Sequence, residues 1–433
     1  MWLSTITIVL MSVLPMEQCY WNTNSYIYFG GKTLYDDVRG DVRNSSRLKG
    51  CEPVSIWMLA RHGARNPSEQ NIREMKNALA MKSDILRYHA EGRGDLWDRE
   101  IADLQEYRWS PDVDVTPYVL TNRGHRELND LGDRINMTYF SLLKKLKEHH
   151  IRPTNEQRTI ESARSFLNGL DDSLAYGIEA PLRKIKDVML LPYLHCDLHT
   201  TEAWNGSKRI SELQKYYETA DYKEVLLSVQ KRMGSNEPLT PTNVSGLYDL
   251  CRFHRSTSLT GTSPWCKLFT NRDLEVLEYI EDINSYYRSG YGFPYNGHLG
   301  RLVLSDLLKK FQAEVYDSKP TFTAFFSHDS LIDMVYCALG LFHDEKSLKA
   351  KRRNPRRKWR TSKNTPFAAN IIVVLHECEN MLEPRPYKVQ FLVNEKPQRV
   401  CVKKVCTWAE FQDKLKPFLQ SDLKFCRQHN KPN

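Results

Sequence analysis

Val54-Ser55-Ile56-Trp57-Met58-Leu59-Ala60 runs directly into Arg61-His62-Gly63-Ala64-Arg65-Asn66-Pro67. The first seven residues have strand character, rich in β-branched and aromatic side chains. The string that follows places two guanidiniums on either side of one imidazole within five residues. Guanidinium forks hold a phosphate bidentately. An imidazole held against that phosphate can attack phosphorus and carry it as a phosphohistidine. Gly63 has no side chain, so backbone and ligand can approach closely there. Any one of these residues fits an ordinary surface turn. The whole string at a strand end favours a phosphate site.

Composition frames this reading. With 433 residues the chain can hold a large core, and length alone suggests two to three domains. A formal net charge of +9 favours anionic ligands without naming one. No nucleic-acid module is recognisable, so a polyanionic small molecule fits the charge better. Residues Met1 to Met16 are apolar and uncharged in their side chains. They are too short for a membrane span and read as a signal peptide, cleaved between about residues 16 and 22. Ten cysteines suit an exported protein. Four acceptor sequons begin at Asn44, Asn136, Asn205 and Asn243. No Cys-x-x-Cys pair occurs, which removes zinc-ribbon and thioredoxin readings. The polar C-terminus carries neither an apolar anchor tail nor an ER-retention tetrapeptide.

Along the chain, helical spacing is expected over 68–85, 124–147 and from Thr159 to Leu170, where Gly169 serves as a stop. His149 to Arg152 reads as a short strand. Residues 170–315 look mainly helical, with patterns over Asp273–Tyr287 and His298–Phe311. Strand signals return at Thr321–Phe326, Asn370–Leu375 and Tyr387–Val393, with a helix over Leu331–Leu341. The expected organisation is a leader over 1–20, an α/β unit from 21–169 and 316–433, and an inserted mainly α-helical domain over 170–315.

Three further strings accompany the first: Leu120-Thr121-Asn122-Arg123-Gly124; Gln157-Arg158-Thr159 with Ser162-Ala163 and Phe166; and Ser327-His328-Asp329 directly after the Phe-rich strand. Together with Arg-His-Gly-x-Arg-x-Pro they resemble the signature of the histidine phosphatase superfamily, in its acid phosphatase and phytase branch. The resemblance implies a Rossmann-like, mixed and mostly parallel sheet flanked by helices. It implies His62 as nucleophile, Arg61, Arg65 and Arg158 as phosphate clamps, His328 as a further phosphate ligand, and Asp329 as general acid. An alkoxide leaving group is poor unless it is protonated, so the chemistry needs such an acid. A phosphate beside that carboxyl raises its pKa, and the nearby cations oppose the shift. No metal or other cofactor is implied, because arginines supply the positive charge.

Ser263-Pro264-Trp265-Cys266, Tyr286-Tyr287-x-x-Gly290-Tyr291-Gly292, and Trp359-Arg360-Thr361-Ser362 leading to Pro366-Phe367-Ala368-Ala369-Asn370 are similar to the multiple inositol polyphosphate phosphatases. The likeness extends from about residue 50 to about 410. That branch usually carries His-Ala-Glu where this chain has His328-Asp329-Ser330. The implied partners are anionic phosphate esters, such as inositol polyphosphates and 2,3-bisphosphoglycerate, with no nucleic acid and no integral membrane segment. The implied location is secreted, or the lumen of the endoplasmic reticulum or lysosome. A broad acid phosphatase and a catalytically inactive phosphate binder are the rival readings. Phosphoglycerate mutases share the Arg-His-Gly start, but the leader, the cysteines and His328-Asp329 argue against them.

The run from Lys346 to Lys363 is strongly basic. It reads either as a solvated loop or as an electropositive rim that concentrates a highly phosphorylated substrate. Among the cysteines, Cys251 and Cys266 look like a family disulfide. Cys401 and Cys406 are close enough for a small loop, and Cys51 and Cys378 can staple neighbouring strands. Cys337 reads as a buried free thiol. Cys196 and Cys426 stay unassigned.

Overall fold

The computed structural model describes residues 25–427 other than 46, 147–148, 172–185, 258–262 and 380–385. The expected leader therefore lies outside the described residues. Among the described residues seven strands form one mixed sheet: β1 (Cys51–Arg61), β2 (His149–Pro153), β3 (Phe322–Ser327), β4 (Asn370–Cys378), β5 (Tyr387–Val393), β6 (Lys396–Gln398) and β7 (Val405–Thr407). Their order is β2-β3-β1-β4-β5-β6, with β7 also on β5.

The expected α/β class holds, but the sheet is not mostly parallel. Only β2–β3 and β3–β1 run parallel. The pairings β1–β4, β4–β5, β5–β6 and β5–β7 are antiparallel. Among the outer strands β4 to β7 connection length is the physical reason: a parallel neighbour needs a long crossover, whereas a hairpin needs two residues. Asn394 and Glu395 make such a hairpin between β5 and β6, with φ of 49° and 63°. The buried Glu395 occupies a left-handed position that glycine would favour. Arg134 donates to it twice at 2.8 Å and Tyr35 once at 2.8 Å, which locks the turn against a helix.

Strand β1 is buried on both faces, which explains its unbroken apolar run. Ile56, Met58 and Ala60 pack with Leu128, Ile135 and Phe166 from two helices, Asn122–Leu143 and Gln157–Leu170. Trp57 and Leu59 face the other layer, among helices Asn296–Asp317 and Asp329–Leu339. Trp57 Nε1 donates to Asp306 Oδ2 at 3.1 Å, tying the strand to the first of these. Each such buried large side chain contributes roughly 1.5–3 kcal/mol.

Gly169 is not a helix stop. It lies inside the helix Gln157–Leu170, and a Cβ there would overlap the Asn129 carbonyl. Gly132 meets the Phe166 carbonyl in the same way, so the two helices touch backbone to backbone. The segment expected as one helix over 68–85 is two, Glu69–Leu79 and Lys82–Ala90.

Disulfides join Cys51–Cys378, Cys251–Cys266, Cys401–Cys406 and Cys196–Cys426, and Cys337 is free. The first is a cross-strand pair, since Cys51 and Cys378 stand opposite each other in the β1–β4 register.

Candidate active site

Three adjacent parallel strands end at the same edge, and each delivers part of the site. Arg61 at the end of β1 pairs in register with Ser327 at the end of β3. Arg61-His62 and His328-Asp329 therefore emerge side by side, and His62 N–H donates to the Ser327 carbonyl at 3.1 Å. Pro153 of β2 lies beside Phe326 of β3, and Thr154 N–H donates to the Phe326 carbonyl at 2.9 Å. From there the chain enters the helix that carries Arg158. A ligand site outside the carboxyl ends of parallel strands follows from this layout. All six residues expected from sequence, Arg61, His62, Arg65, Arg158, His328 and Asp329, converge here.

The hydrogen bonds assign the imidazole tautomers. His62 Nδ1 lies 2.8 Å from the Gly63 carbonyl. A carbonyl only accepts, so Nδ1 carries the proton and Nε2 keeps its lone pair. Burial, then the positive charges of Arg61 and Arg158, hold the His62 pKa well below its ordinary value, so the ring stays neutral. His328 Nδ1 lies 3.4 Å from Arg158 Nη2, which only donates. His328 Nε2 then donates to Thr154 Oγ1 at 3.3 Å. Burial and Arg158 push the His328 pKa down to about 3. The two rings meet edge to face, with centroids 5.6 Å apart.

Arg61 is buried and rigidly held. Its Nη1 donates to the carbonyls of Gly31 (2.5 Å) and Thr365 (2.8 Å), and its guanidinium lies 4.8 Å from the Phe367 ring centroid. Its Nη2 stands 3.6 Å from Asp329 Oδ2. Burial alone would raise the Asp329 pKa, but Arg61 and Arg288 outweigh it and hold the carboxyl well below the usual carboxylate range. Burial, then Arg61 and Arg158, lowers the Arg65 pKa to about 9, the signature of cations gathered without enough counter-charge. Buried Nε atoms of Arg61, Arg158 and Arg288 have no hydrogen-bond partner. Such a cluster stabilises an anion.

Gly63 plays a different part from the one expected, together with Gly124. A Cβ on Gly63 would lie 2.5 Å from the Gly124 carbonyl, and one on Gly124 would overlap that of Ala64. Gly63 thus admits a neighbouring helix, not a ligand. Thr121 caps that helix by accepting from Gly124 N–H at 3.2 Å, while its hydroxyl donates to the Ala64 carbonyl at 3.0 Å. This is the physical content of the Leu-Thr-x-x-Gly string. From the same helix, Glu127 accepts from the Ala64 and Tyr35 N–H groups at 2.7 and 2.9 Å. Its burial raises the Glu127 pKa to about 7.

The sequence reading missed several participants. Arg288, the last residue of the helix Asn271–Arg288, stands 3.5 Å from Asp329 Oδ2 and 5.4 Å from the Trp204 ring. Asp333, one turn beyond Asp329, is buried and accepts from Ser285 and Ser289 hydroxyls at 2.6 and 2.8 Å. Burial and the Asp329 charge raise its pKa to about 7. Arg288 occupied an unread position inside the Tyr286-to-Gly292 motif, which was the available signal. Asp333 had none beyond its i+4 spacing from Asp329.

Residues 55–394 match the family model described as histidine phosphatase superfamily (branch 2). The chain belongs to this superfamily. The Drosophila melanogaster multiple inositol polyphosphate phosphatase 1 is similar to this histidine phosphatase, 27% identical over 98% of this chain and 93% of that protein. The Gallus gallus protein of the same name is 25% identical over 91% and 90%. The fold is also that of a phytase from D. castellii, with a TM-score of 0.73 and 18% identity over 94% of this chain and 91% of that one. A Bifidobacterium longum multiple inositol polyphosphate phosphatase, solved with inositol hexasulfate, has a TM-score of 0.67 at 16% identity, over 92% and 99%.

The basic run divides in space. Arg357 is buried between Glu278 and Asp282, donating to them at 2.7 and 2.5 Å. Arg360 pairs with Glu278 at 2.8 Å and Arg353 with Asp221 at 2.9 Å. These three stabilise the fold and are not a free rim. Lys351, Arg352, Arg356 and Lys358 are exposed. Lys215, Lys346, Lys349, Lys351 and Arg352 line a cleft of about 670 Å³, with Glu212 as its acid. Tyr287 donates to the Leu348 carbonyl at 2.8 Å, and the next residue is Arg288. Tyr287 thus ties the segment that lines the cleft to the helix that carries Arg288.

Proposed function

We propose that this histidine phosphatase removes phosphate from inositol polyphosphates through a phosphohistidine on His62. The observation that carries the reading is the His62 Nδ1–Gly63 carbonyl bond, which leaves a neutral Nε2 lone pair among three arginines. Arg61, Arg65 and Arg158, with His328, hold the phosphate. His62 Nε2 attacks phosphorus as the ester P–O bond breaks, and Asp329 gives its proton to the departing ring oxygen. Water then attacks the phosphohistidine, Asp329 takes the water's proton, and the P–N bond breaks to release inorganic phosphate. The free carboxyl is held ionised by Arg61 and Arg288. An arriving phosphate offsets those cations, so the substrate itself brings Asp329 towards its acid form.

The basic cleft and the net charge of +9 favour a substrate with many phosphates. The relatives named as multiple inositol polyphosphate phosphatases and phytases support the same class. Four disulfides and the exposed sequon residues Asn44 and Asn205 favour an oxidising, secretory compartment. Residues 21–169 with 316–433 are taken as the catalytic α/β part, and 170–315 as the inserted helical part, whose last helix, Asn296–Asp317, also covers the sheet.

Phosphate release from phytate, 2,3-bisphosphoglycerate and an aryl phosphate tests the reading. Wild type should prefer phytate, and His62→Ala should release none from any of them while keeping its circular dichroism and melting temperature. Rapid quench should trap acid-labile, base-stable phosphate on wild type. Full activity in the variant overturns the assignment. Equal rates on all three substrates would favour a broad acid phosphatase.

A further inference from the structure

Tyr118 holds a backbone conformation that its side chain disfavours. It is the third residue of the turn Thr116-Pro117-Tyr118-Val119, closed by Val119 N–H to the Thr116 carbonyl at 3.4 Å. Pro117 second and a φ of 65° at Tyr118 are the marks of a turn whose third position favours glycine or asparagine. Hydrophobic burial does not account for the tyrosine, because it is 43% exposed. Strain retained without burial is found where it serves a site.

The turn is strapped to the Arg-His-Gly string. Asn66 Nδ2 donates to the Thr116 carbonyl and hydroxyl at 2.9 and 2.8 Å. Asn66 N–H donates to the Val119 carbonyl at 2.8 Å, and Tyr118 N–H to the Pro67 carbonyl at 3.1 Å. So held, the ring lies 5.4 Å from the Arg65 guanidinium and 5.8 Å from that of Arg158. Both distances are within reach of a cation–π attraction. The two cations come from segments more than ninety residues apart, and they repel each other. Each has its own second anchor, Arg65 on the Asn66 carbonyl and Arg158 on Glu156. The Tyr118 ring is common to both.

We propose that Tyr118 is a positioning residue: its π face sets Arg65 and Arg158 at the spacing that receives the transferred phosphate. This rests on the phosphatase reading above. The ring gathers the two clamps before substrate arrives, which lowers the cost of assembling them. Its hydroxyl has no part in this.

The test uses the full-length enzyme with an aryl phosphate as substrate and inorganic phosphate as competitive inhibitor. Tyr118→Asn relieves the turn, Tyr118→Leu keeps bulk and strain without a π face, and Tyr118→Phe keeps the face. The Asn and Leu variants should raise Ki for phosphate and lower kcat/KM about tenfold, the weight of two exposed cation–π contacts. The Asn variant should melt no lower than wild type. Tyr118→Phe should match wild type in both constants. Unchanged Ki in the Asn and Leu variants overturns the proposal, and so does a Phe variant as impaired as the Asn one. If the Asn variant does not fold, the Leu and Phe pair decides by itself. His62→Ala in the same assay separates this from the parent reading. Activity surviving there removes the phosphohistidine, whereas an inactive His62→Ala beside an unaffected Tyr118→Asn removes only the role of Tyr118.

Discussion

Arg288 Nη2 lies 3.5 Å from Asp329 Oδ2, the same oxygen that Arg61 Nη2 meets at 3.6 Å. Two cations from distant parts of the chain thus share one carboxylate oxygen. Other charged or titratable groups around it are His62, His328 and Arg65, with Asp333 on its own helix and Tyr193 from the segment Pro192–His195.

Arg288→Met removes one of the two cations, so the Asp329 pKa rises towards the ordinary carboxylate value. More of the acid form is then present at a given pH. For a substrate with a poor leaving group, the alkaline fall of kcat, which reports the substrate-bound acid, should move up by roughly one pH unit. For phytate, KM should rise as well, because a cation beside the leaving group is lost. A pH–rate profile superimposable on wild type would show that Arg288 does not act on the acid.

Asp329→Asn tests the acid directly. General acid help is worth roughly 10²–10⁴-fold. The variant should lose that much on phytate or glycerophosphate and far less on an activated aryl phosphate, whose leaving group needs no proton. Equal losses on both would assign Asp329 to holding Arg61 and Arg288 in place.

Asp333 predicts a stability effect with a definite sign. Its folded pKa of about 7 lies above the unfolded value, so the folded state keeps a proton that the unfolded state releases. Stability therefore falls as pH rises from about 4 to 7. Asp333→Asn stays neutral and can still accept from Ser285 or Ser289. Its urea midpoint should match wild type near pH 4 and exceed it increasingly up to pH 7.5. A constant difference across that range would refute the link.

The basic run calls for two separate substitutions. Replacing the exposed Lys351, Arg352, Arg356 and Lys358 with Ser should raise KM for phytate severalfold at low salt and leave an aryl phosphate unchanged. The difference should vanish as salt rises, since exposed charges are screened beyond roughly 10 Å at 0.1 M. Arg357→Met instead leaves the buried Asp282 without its cation and Glu278 with Arg360 alone, which costs roughly 3–5 kcal/mol of stability. Its effect should appear in the melting temperature at every salt concentration.

The sequence marked out strand β1, the helices that flank it, and the six residues that converge at the carboxyl ends of β1, β2 and β3. These were legible because each is written in a short local string: an apolar run, a helical period, or a motif of three to seven residues. Three of the four disulfides among the described residues were also offered there as candidate pairs, Cys251–Cys266 by the family likeness and Cys401–Cys406 and Cys51–Cys378 by their positions. Tertiary structure alone decided the rest. The direction of the outer strands depended on hairpins such as Asn394-Glu395, where a buried Arg134 compensates for the missing glycine. The task of Gly63 is set by Gly124, sixty-one residues away, because close backbone packing has no local signature. Asp333 is placed by the Ser285 and Ser289 hydroxyls, which come from outside its own helix. Arg288 joined the site, and Arg353, Arg357 and Arg360 left the basic rim, for one physical reason. A charge takes its role from the opposite charge it meets in space, and for these residues that partner comes from another element of the fold.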